Sequence, residues 1–390
     1  MAIIGIDATA LCIPACRGIG TSQYQAMRAL AEMDTPHRFF LYAPSPPLVP
    51  YSTKPLDLPW PLRLGARSVT GSNILWMQTG VNKLLAADRV EVFWGPRHLL
   101  PFRARGLGKV ATVHDYWHRY YPQQQPWRNR LADRFLIDKV VAQADLVVTP
   151  SAATARDVVR VSGGSPDKVR VVPWGVDQTV FRPLDAREVA AALKRLGVTG
   201  PYVLSLDVLN PRKSFATVLE AAARLPKDLR RSLTLVGLGA ISSTTPAARL
   251  LARAAALDLA ERLRLLGEVE VQDLVALYSG ARALVYPSLY EGFGMPVLEA
   301  MACGCPVIAT DGSSLPEVAG DAALLVDLDD PQALGLALAA VTADPDARDR
   351  LVAAGHVRAG HFTWRATAEG MLAAFDEVLA ARVARQGRLA

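Results

Sequence analysis

The stretch YEGFGMPVLEAMACGCPV, residues 290–307, holds two carboxylates, Glu291 and Glu299, with seven residues between them that include a Gly-Phe-Gly turn and a proline. ALVYPS, just before it, is short and apolar enough for a buried strand, so residues 290–294 form the loop at a strand's carboxyl end, where open α/β sheets bind ligands. Pro296 suits the first turn of a helix, where its missing N–H leaves nothing unpaired, and Gly304 with Pro306 ends that helix after about Ala302. The amino end of the helix, reached through Gly292, Phe293, Gly294 and Met295, offers free N–H groups and the positive end of a dipole to a diphosphate. Glu299, one turn in, reaches a ribose diol, and Glu291, before the turn, accepts hydrogen bonds from a sugar joined through the diphosphate. An E-x7-E spacing alone arises by chance in a chain with 37 acids. The preceding strand, the Gly-x-Gly turn and the proline-started helix give the pair its meaning.

Such a loop needs a sheet to carry it. IIGID (3–7), FFLYA (39–43), VEVFW (90–94), VATVH (110–114), LVVTP (146–150) and VRVVP (169–173) read as buried strands. So do YVLSL (202–206), LTLVG (233–237), LRLLG (263–267), ALVYP (283–287), VIAT (307–310) and ALLV (323–326). Segments of helical period such as FATVLEAAARL and VQDLVALYSGA lie between most of them. The pattern is repeated βαβ, occurring twice: an α/β fold of two Rossmann-like doubly wound parallel-sheet domains. The seam is expected in PWGVDQTVFRP, residues 173–183, dividing an amino-terminal domain (1–176) from a second (177–361). A long amphipathic helix in 362–390 must find a partner for its apolar face. The proline-rich stretch 44–61 reads as an extended surface loop.

At 390 residues, 51% hydrophobic and 21% charged, the composition is that of a folded two-domain protein. MAIIGIDATA lacks a basic leader, and no apolar run approaches the roughly 20 residues that span a bilayer, so a cytoplasmic location is expected. Cys12, Cys16, Cys303 and Cys305 fit free thiols there, since their C-x3-C and C-x-C spacings are not those of a zinc site. The net charge of +6 is uneven: residues 1–180 hold 21 Lys plus Arg against 13 Asp plus Glu, and the rest 22 against 24. No zinc finger, RNP pattern or basic heptad accompanies this excess, so nucleic acid is not an expected partner. A solvated basic face, an anionic membrane or a phosphorylated acceptor accounts for it equally well.

EGFGMPVLEAMACGCPVIATDGSSLPEVAGDAALLVD resembles the donor-site signature of retaining GT-B glycosyltransferases of family 4, the group that includes bacterial mannosyl- and glucosyltransferases of surface polysaccharides. GIDATALCIPACRGIGTSQYQAMRAL, VATVHDYWHRYYP, LVVTPSAATARDV, VRVVPWGVD and NPRKSF resemble other segments of that family, in its order, from residue 3 to about 330. The resemblance implies two domains facing a central cleft, with the closing helix from about Phe362 crossing back onto the first. It makes Arg212 and Lys213 partners of the donor diphosphate, a role their charge suits. It sets His114 facing the donor sugar, although a lone histidine at a strand end is commonly structural. Gly18 and Gly20 precede the helix TSQYQAMRALAEM and bring a second amino end toward phosphates or acceptor, or simply make a tight turn. One departure stands out: LSLDVLNPRKSF puts Asp207 and Val208 where relatives commonly have Gly with Thr or Arg, and a carboxylate there repels a diphosphate unless it contacts something else.

The resemblance further implies retention without an enzyme nucleophile, the leaving diphosphate assisting deprotonation of the acceptor while the protein positions and stabilises charge. No metal or other cofactor is expected, because the two Asp-x-Asp matches, Asp327 with Asp329 and Asp344 with Asp346, stand where helices need caps. WGPRHLLP and VHD are most similar to mannosyltransferases, which makes GDP-mannose the first donor and a UDP-sugar the second, with the base read near Gly267 and Val269. The acceptor is expected to be a glycan or a lipid-linked diphosphate. Trp117, Tyr120, Tyr121 and Trp127 among Arg119, Arg128, Arg130 and Arg134 suit peripheral contact with the inner membrane, or equally a packed helix with a solvated edge. A nicotinamide oxidoreductase is disfavoured because no third glycine follows the first strand. A noncatalytic sugar-nucleotide or glycan binder of the same fold stays open.

Overall fold

A computed structural model describes residues 1–12, 18–50, 54–65, 73–124, 127–239 and 244–387. The chain divides into two compact units, Met1–Gly175 with Trp364–Ala390, and Val176–Thr363. In the first, strands β1 (Ile3–Asp7), β2 (Arg38–Ala43), β3 (Leu62–Leu64), β4 (Val92–Gly95), β5 (Gly108–Thr112), β6 (Leu146–Thr149) and β7 (Val169–Val171) form a parallel sheet in the order β3-β2-β1-β4-β5-β6-β7. The second holds β8 (Tyr202–Ser205), β9 (Thr234–Leu238), β10 (Leu263–Leu266), β11 (Ala283–Tyr286), β12 (Val307–Thr310) and β13 (Leu324–Val326), parallel and ordered β10-β9-β8-β11-β12-β13. Most of these strands are buried along their length because helices cover both faces, which is why they read as continuous apolar runs.

Each expected strand forms to within about two residues. β3 was not anticipated: three residues, LRL, at an exposed edge carry too little pattern to be seen. The proline-rich stretch before it departs from expectation. It lacks regular structure, yet Val49, Leu56, Leu58 and Trp60 pack against the first unit's core, and the Trp60 ring lies 4.7 Å from that of Phe39. Prolines remove backbone donors without removing apolar side chains, so the loop still lies down on the core. Residues 51–53 of this stretch lie outside the described residues.

The closing helix, Trp364–Gly387, finds its partner within the first unit. Met371, Phe375 and Val378 join the cluster formed by Ile4, Ile6, Val92 and Trp94. The fit is close enough that a Cβ on Gly108 would stand 2.3 Å from Val378 Cγ1. Truncating Phe375 to alanine would therefore cost about 3–5 kcal/mol of that unit's stability. In the second unit Val218, Leu219, Leu235, Val285, Ile308 and Leu338 make the corresponding core.

Candidate active site

The second sheet's order reverses between β8 and β11, so the loops after those strands leave its carboxyl edge in opposite directions and open a crevice. The β8 loop brings Arg212 and Lys213; the β11 loop brings Glu291. Lys213 Nζ donates to Glu291 Oε1 at 2.5 Å. Ser288 Oγ (2.5 Å) and the Tyr286 hydroxyl (3.1 Å) donate to the same oxygen. Lys213 also bonds the Tyr286 hydroxyl and lies 4.3 Å from that ring's centroid. The other carboxylate oxygen, Oε2, is 3.7 Å from Arg212 Nη1. Glu291's main chain is held as well, its N–H donating to Ser313 Oγ at 2.8 Å and its carbonyl accepting from Ser314 Oγ at 2.9 Å.

Burial by itself would raise the Glu291 carboxyl, but the Lys213 ammonium and the Arg212 guanidinium overcome it and hold the group down at about 2. Burial lowers Lys213 in turn, against the pull of Glu291 and, more weakly, of Asp207. The two cations are not equivalent, as the sequence reading had treated them. Lys213 keeps only 9% of its side chain exposed and is committed to Glu291, whereas Arg212 keeps 20%. Nor is the pair an exposed start to a helix: Asn210 Oδ1 caps the turn by accepting from Arg212 N–H at 3.1 Å, and Leu289 N–H donates to the Arg212 carbonyl at 2.8 Å, tying the two loops together.

Gly294 takes φ +115°, and a Cβ there would lie 2.9 Å from Leu315 Cδ2, so the second glycine of the turn is required on both counts. The helix that follows, Met295–Ala302, carries proline in its first turn as expected. Phe293 is buried and meets Phe362 edge-on, with 5.8 Å between centroids, while its carbonyl accepts from Ser314 Oγ at 2.7 Å. Gly292 is buried with it. Glu299, half-buried on this helix, accepts from the Tyr278 hydroxyl at 3.1 Å. Burial pushes its carboxyl up to about 7 against that hydrogen bond, and no cation among the described residues offsets it. Val269 lies half-buried in the linker after β10, two strands out from β8.

Asp207 is exposed, sits at φ +50°, and accepts from Asn210 Nδ2 at 2.8 Å, so its carboxylate does contact something else. Val208 is buried, and its N–H donates to the Leu238 carbonyl, anchoring this loop on β9. Of the Asp-x-Asp matches, Asp344 caps the Pro345–Gly360 helix, while the Pro331–Ala343 helix is capped by Asp330, not by Asp327 or Asp329.

The first sheet reverses between β1 and β4, and the loop after β4 carries Arg97, whose charge acts on Asp7, His98 and His114. Asp7, closing β1, is fully buried; burial lifts its carboxyl to about 6 although Thr9 donates to it through N–H (2.9 Å) and Oγ1 (3.0 Å). Past β4, burial pushes His98 down to about 3. His114, two residues beyond β5, is likewise lowered by burial. Its Nε2 lies 2.6 Å from the Pro96 carbonyl, an acceptor only, so Nε2 carries the proton and Nδ1 is left as the ring's acceptor. Gly18 caps the helix Ile19–Ala31 at φ +57°. Gly20 lies inside that helix and not before it, because the first turn already closes with Ser22 N–H donating to the Gly18 carbonyl. Residues 13–17, with Cys16, lie outside the described residues; Cys12, Cys303 and Cys305 are free thiols.

In the aromatic and basic segment Arg119 is bonded to Asp138 and the Val161 carbonyl, Tyr120 to Asp157, and Trp117 stacks on Tyr121 at 4.4 Å. Arg134 is exposed, and the side chains of Trp127, Arg128 and Arg130 lie outside the described residues. Among the described residues no helix is long and apolar enough to cross a membrane.

Sequence reasoning missed Tyr286, Ser288, Ser313, Ser314 and Tyr278. Tyr286 had a signal, as a tyrosine ending an otherwise aliphatic strand at the ligand-binding edge. The others are small or distant and acquire a role only through the fold.

Two family models match: Glycosyltransferase Family 4 over residues 16–180 and Glycosyl transferases group 1 over residues 190–358. The chain is 30% identical to the O-antigen chain mannosyltransferase B of Escherichia coli, over 70% of this chain and 71% of that protein. It is 36% identical to a D-inositol 3-phosphate glycosyltransferase of Acidothermus cellulolyticus over 62% of this chain, a match that spans only 55% of that relative. Among solved structures it is similar to the sucrose-phosphate synthase of Thermosynechococcus elongatus, with a TM-score of 0.78 and 20% identity over 98% of this chain and 100% of that one. The HepE protein of Anabaena, solved in complex with UDP and glucose, has a TM-score of 0.74 at 17% identity over 97% of this chain and 100% of that one. Two doubly wound units of parallel sheet, the acids flanking a glycine turn, and these matches to both units together establish that the chain belongs to glycosyltransferase family 4 and has the GT-B fold.

Proposed function

We propose that this protein transfers a hexose from a nucleotide sugar to a glycan or polyprenyl-diphosphate-linked acceptor, with retention of configuration and without a metal. The observation that carries the reading is the buried Glu291–Lys213 pair with Arg212 beside it. Arg212 and the amino end of the Met295–Ala302 helix take the diphosphate, where they stabilise charge as the leaving group departs. Lys213 acts behind them, holding Glu291 in place and adding its field. Glu291 orients the sugar. A carboxylate held at about 2 and saturated by three donors on one oxygen is a poor nucleophile and a poor base, which favours transfer assisted by the leaving diphosphate over a covalent sugar–enzyme intermediate. His114, neutral with Nδ1 as acceptor, is suited to receive a sugar hydroxyl, and Glu299 to receive the ribose diol.

GDP-mannose is the first donor in this reading. Its support is that two relatives, from Escherichia coli and Mycolicibacterium hassiacum, are named mannosyltransferases. The Anabaena structure, which holds UDP and glucose, favours a UDP-sugar as second reading. Incubating the protein with individual nucleotide sugars and following slow hydrolysis separates them. GDP-mannose turnover exceeding that of UDP-glucose is expected; release of neither sugar, with no binding of either, points instead to a protein that only holds glycans.

A further inference from the structure

We propose that the closing helix serves the reaction as well as the core: Trp364 and Trp174 are positioning residues that set the orientation of the His114 ring. The Trp174 ring packs against the imidazole, with 5.9 Å between centroids and 40° between planes. Trp364, the first residue of the closing helix, stacks in turn on Trp174 at 6.2 Å and 28°. All three lie in the first unit. The inference rests on the reading of His114 as the acceptor of a sugar hydroxyl, and it names what keeps that acceptor aimed.

One hydrogen bond does not aim the ring. Nε2 donates to the Pro96 carbonyl at 2.6 Å, which fixes the tautomer and one corner of the imidazole. The main chain is held separately, Thr154 Oγ1 donating to the His114 carbonyl at 3.3 Å. Neither contact fixes the tilt of the ring about that corner, because the terminal torsion of a histidine has broad minima. The Nδ1 lone pair points wherever the tilt sends it, so an apolar ring packed against the imidazole is what removes that freedom. Trp174 supplies it.

Trp174 is itself placed by the returning chain. It keeps only 4% of its surface exposed, yet it lies outside the cluster of Ile4, Trp94 and Phe375 on which the closing helix packs. The segment leading to it is clamped along one side of that helix. Glu377 takes Arg170 in a forked pair at 2.6 and 3.0 Å. Gly370 passes Val172 so closely that a Cβ would stand 2.8 Å from Val172 Cγ1, and Thr367 Oγ1 donates to the Pro173 carbonyl at 2.7 Å. The helix residues 377, 370, 367 and 364 are spaced seven, three and three apart, periods that keep side chains on one side of a helix. Trp364 on Trp174 is the last of these four contacts, and the one that bears on His114.

The test is steady-state hydrolysis of GDP-mannose and UDP-glucose by the full chain carrying Trp364→Ala, which leaves Pro96, Thr154 and Trp174 in place. A fall in kcat of about tenfold with donor KM nearly unchanged is expected, restored in large part by Trp364→Phe. Leu379→Ala is the control, thinning the contact of the same helix with the core about 22 Å further along; it should melt earlier than wild type and keep its kcat. Because burial lowers His114, a ring that is loosened and wetted titrates nearer its ordinary value, so the acid fall of kcat should move to higher pH in Trp364→Ala. A second readout needs no substrate. In a 1H–13C spectrum of the six histidine rings, with His114 assigned through His114→Ala, the His114 signal should move in Trp364→Ala and return toward its place in Trp364→Phe. Thermal melting checks that each variant is folded. Wild-type kcat or an unmoved His114 signal in folded Trp364→Ala, or an equal kcat loss in Leu379→Ala, overturns the positioning role and leaves His114 its own. Undiminished turnover in His114→Ala overturns instead the reading on which the inference rests.

Discussion

The two sheets are wound in the same order, and each reverses between its first and fourth strands, yet the loops at the two reversal points differ in how their charges are paired. In the second unit two cations each lie within 4 Å of one carboxylate and the acid stays ionised. In the first, Asp7, His98 and His114 are moved by burial toward their uncharged forms. The winding supplies a crevice in both cases. What differs is what the loops bring: an ion-paired lattice of Arg212, Lys213 and Glu291 in one, and in the other buried titratable groups with a single nearby cation, Arg97.

Removing the charge at the centre of the second crevice should have the largest effect. Glu291→Ala leaves Lys213 buried without its partner and should cost about 3–5 kcal/mol of stability, alongside a fall in kcat of about 100-fold or more, measured by denaturant titration and initial rates. The same pair gives wild-type stability a pH dependence. Because the folded carboxyl sits at about 2, below its ordinary 4.5, its contribution is complete above the ordinary value and is lost as pH falls toward 2. Glu291→Gln should flatten that acid limb; an unchanged limb would assign it to other groups.

The first unit's crevice should respond differently. His114→Ala removes a positioned acceptor, so kcat should drop about 100-fold with little change in donor KM, and the Pro96 carbonyl left without its donor should cost about 1–3 kcal/mol of stability. A variant that instead loses donor affinity would place His114 among the groups that hold the ground state, and would blur the contrast between the units.

Glu299 gives the smallest and most specific effect. With its carboxyl lifted to about 7, it is protonated below that pH and accepts hydrogen bonds less well, so donor KM should rise as pH falls through that range. Glu299→Gln should raise KM about tenfold with kcat nearly unchanged, and should remove the pH dependence. A KM that is flat with pH in the wild type would show that Glu299 does not touch the donor.

Twelve of the thirteen strands, and the glycine at 294, were legible because buried parallel strands are apolar runs and the turn's φ at 294 demands glycine. The pairing of Lys213 with Glu291 was not. Residues 78 positions apart meet only because the sheet order makes β8 and β11 neighbours, and spacing along the chain carries no trace of that. For the same reason Arg212 and Lys213 looked interchangeable as adjacent cations, when Lys213 is the more deeply buried of the two and the closer to Glu291. Gly20 was misplaced because a glycine reads as a turn residue from composition, and only the closing of the Ile19–Ala31 helix shows otherwise.

The account depends on a nucleoside diphosphate being gripped between Arg212 and the amino end of the Met295–Ala302 helix. Calorimetric titration of the intact chain with GDP and UDP, in wild type and Arg212→Ala, measures this directly. At least one nucleotide should bind at micromolar to submillimolar concentration, weakened by about tenfold or more in the folded variant. No heat with either nucleotide, or equal affinity without the guanidinium, would contradict it.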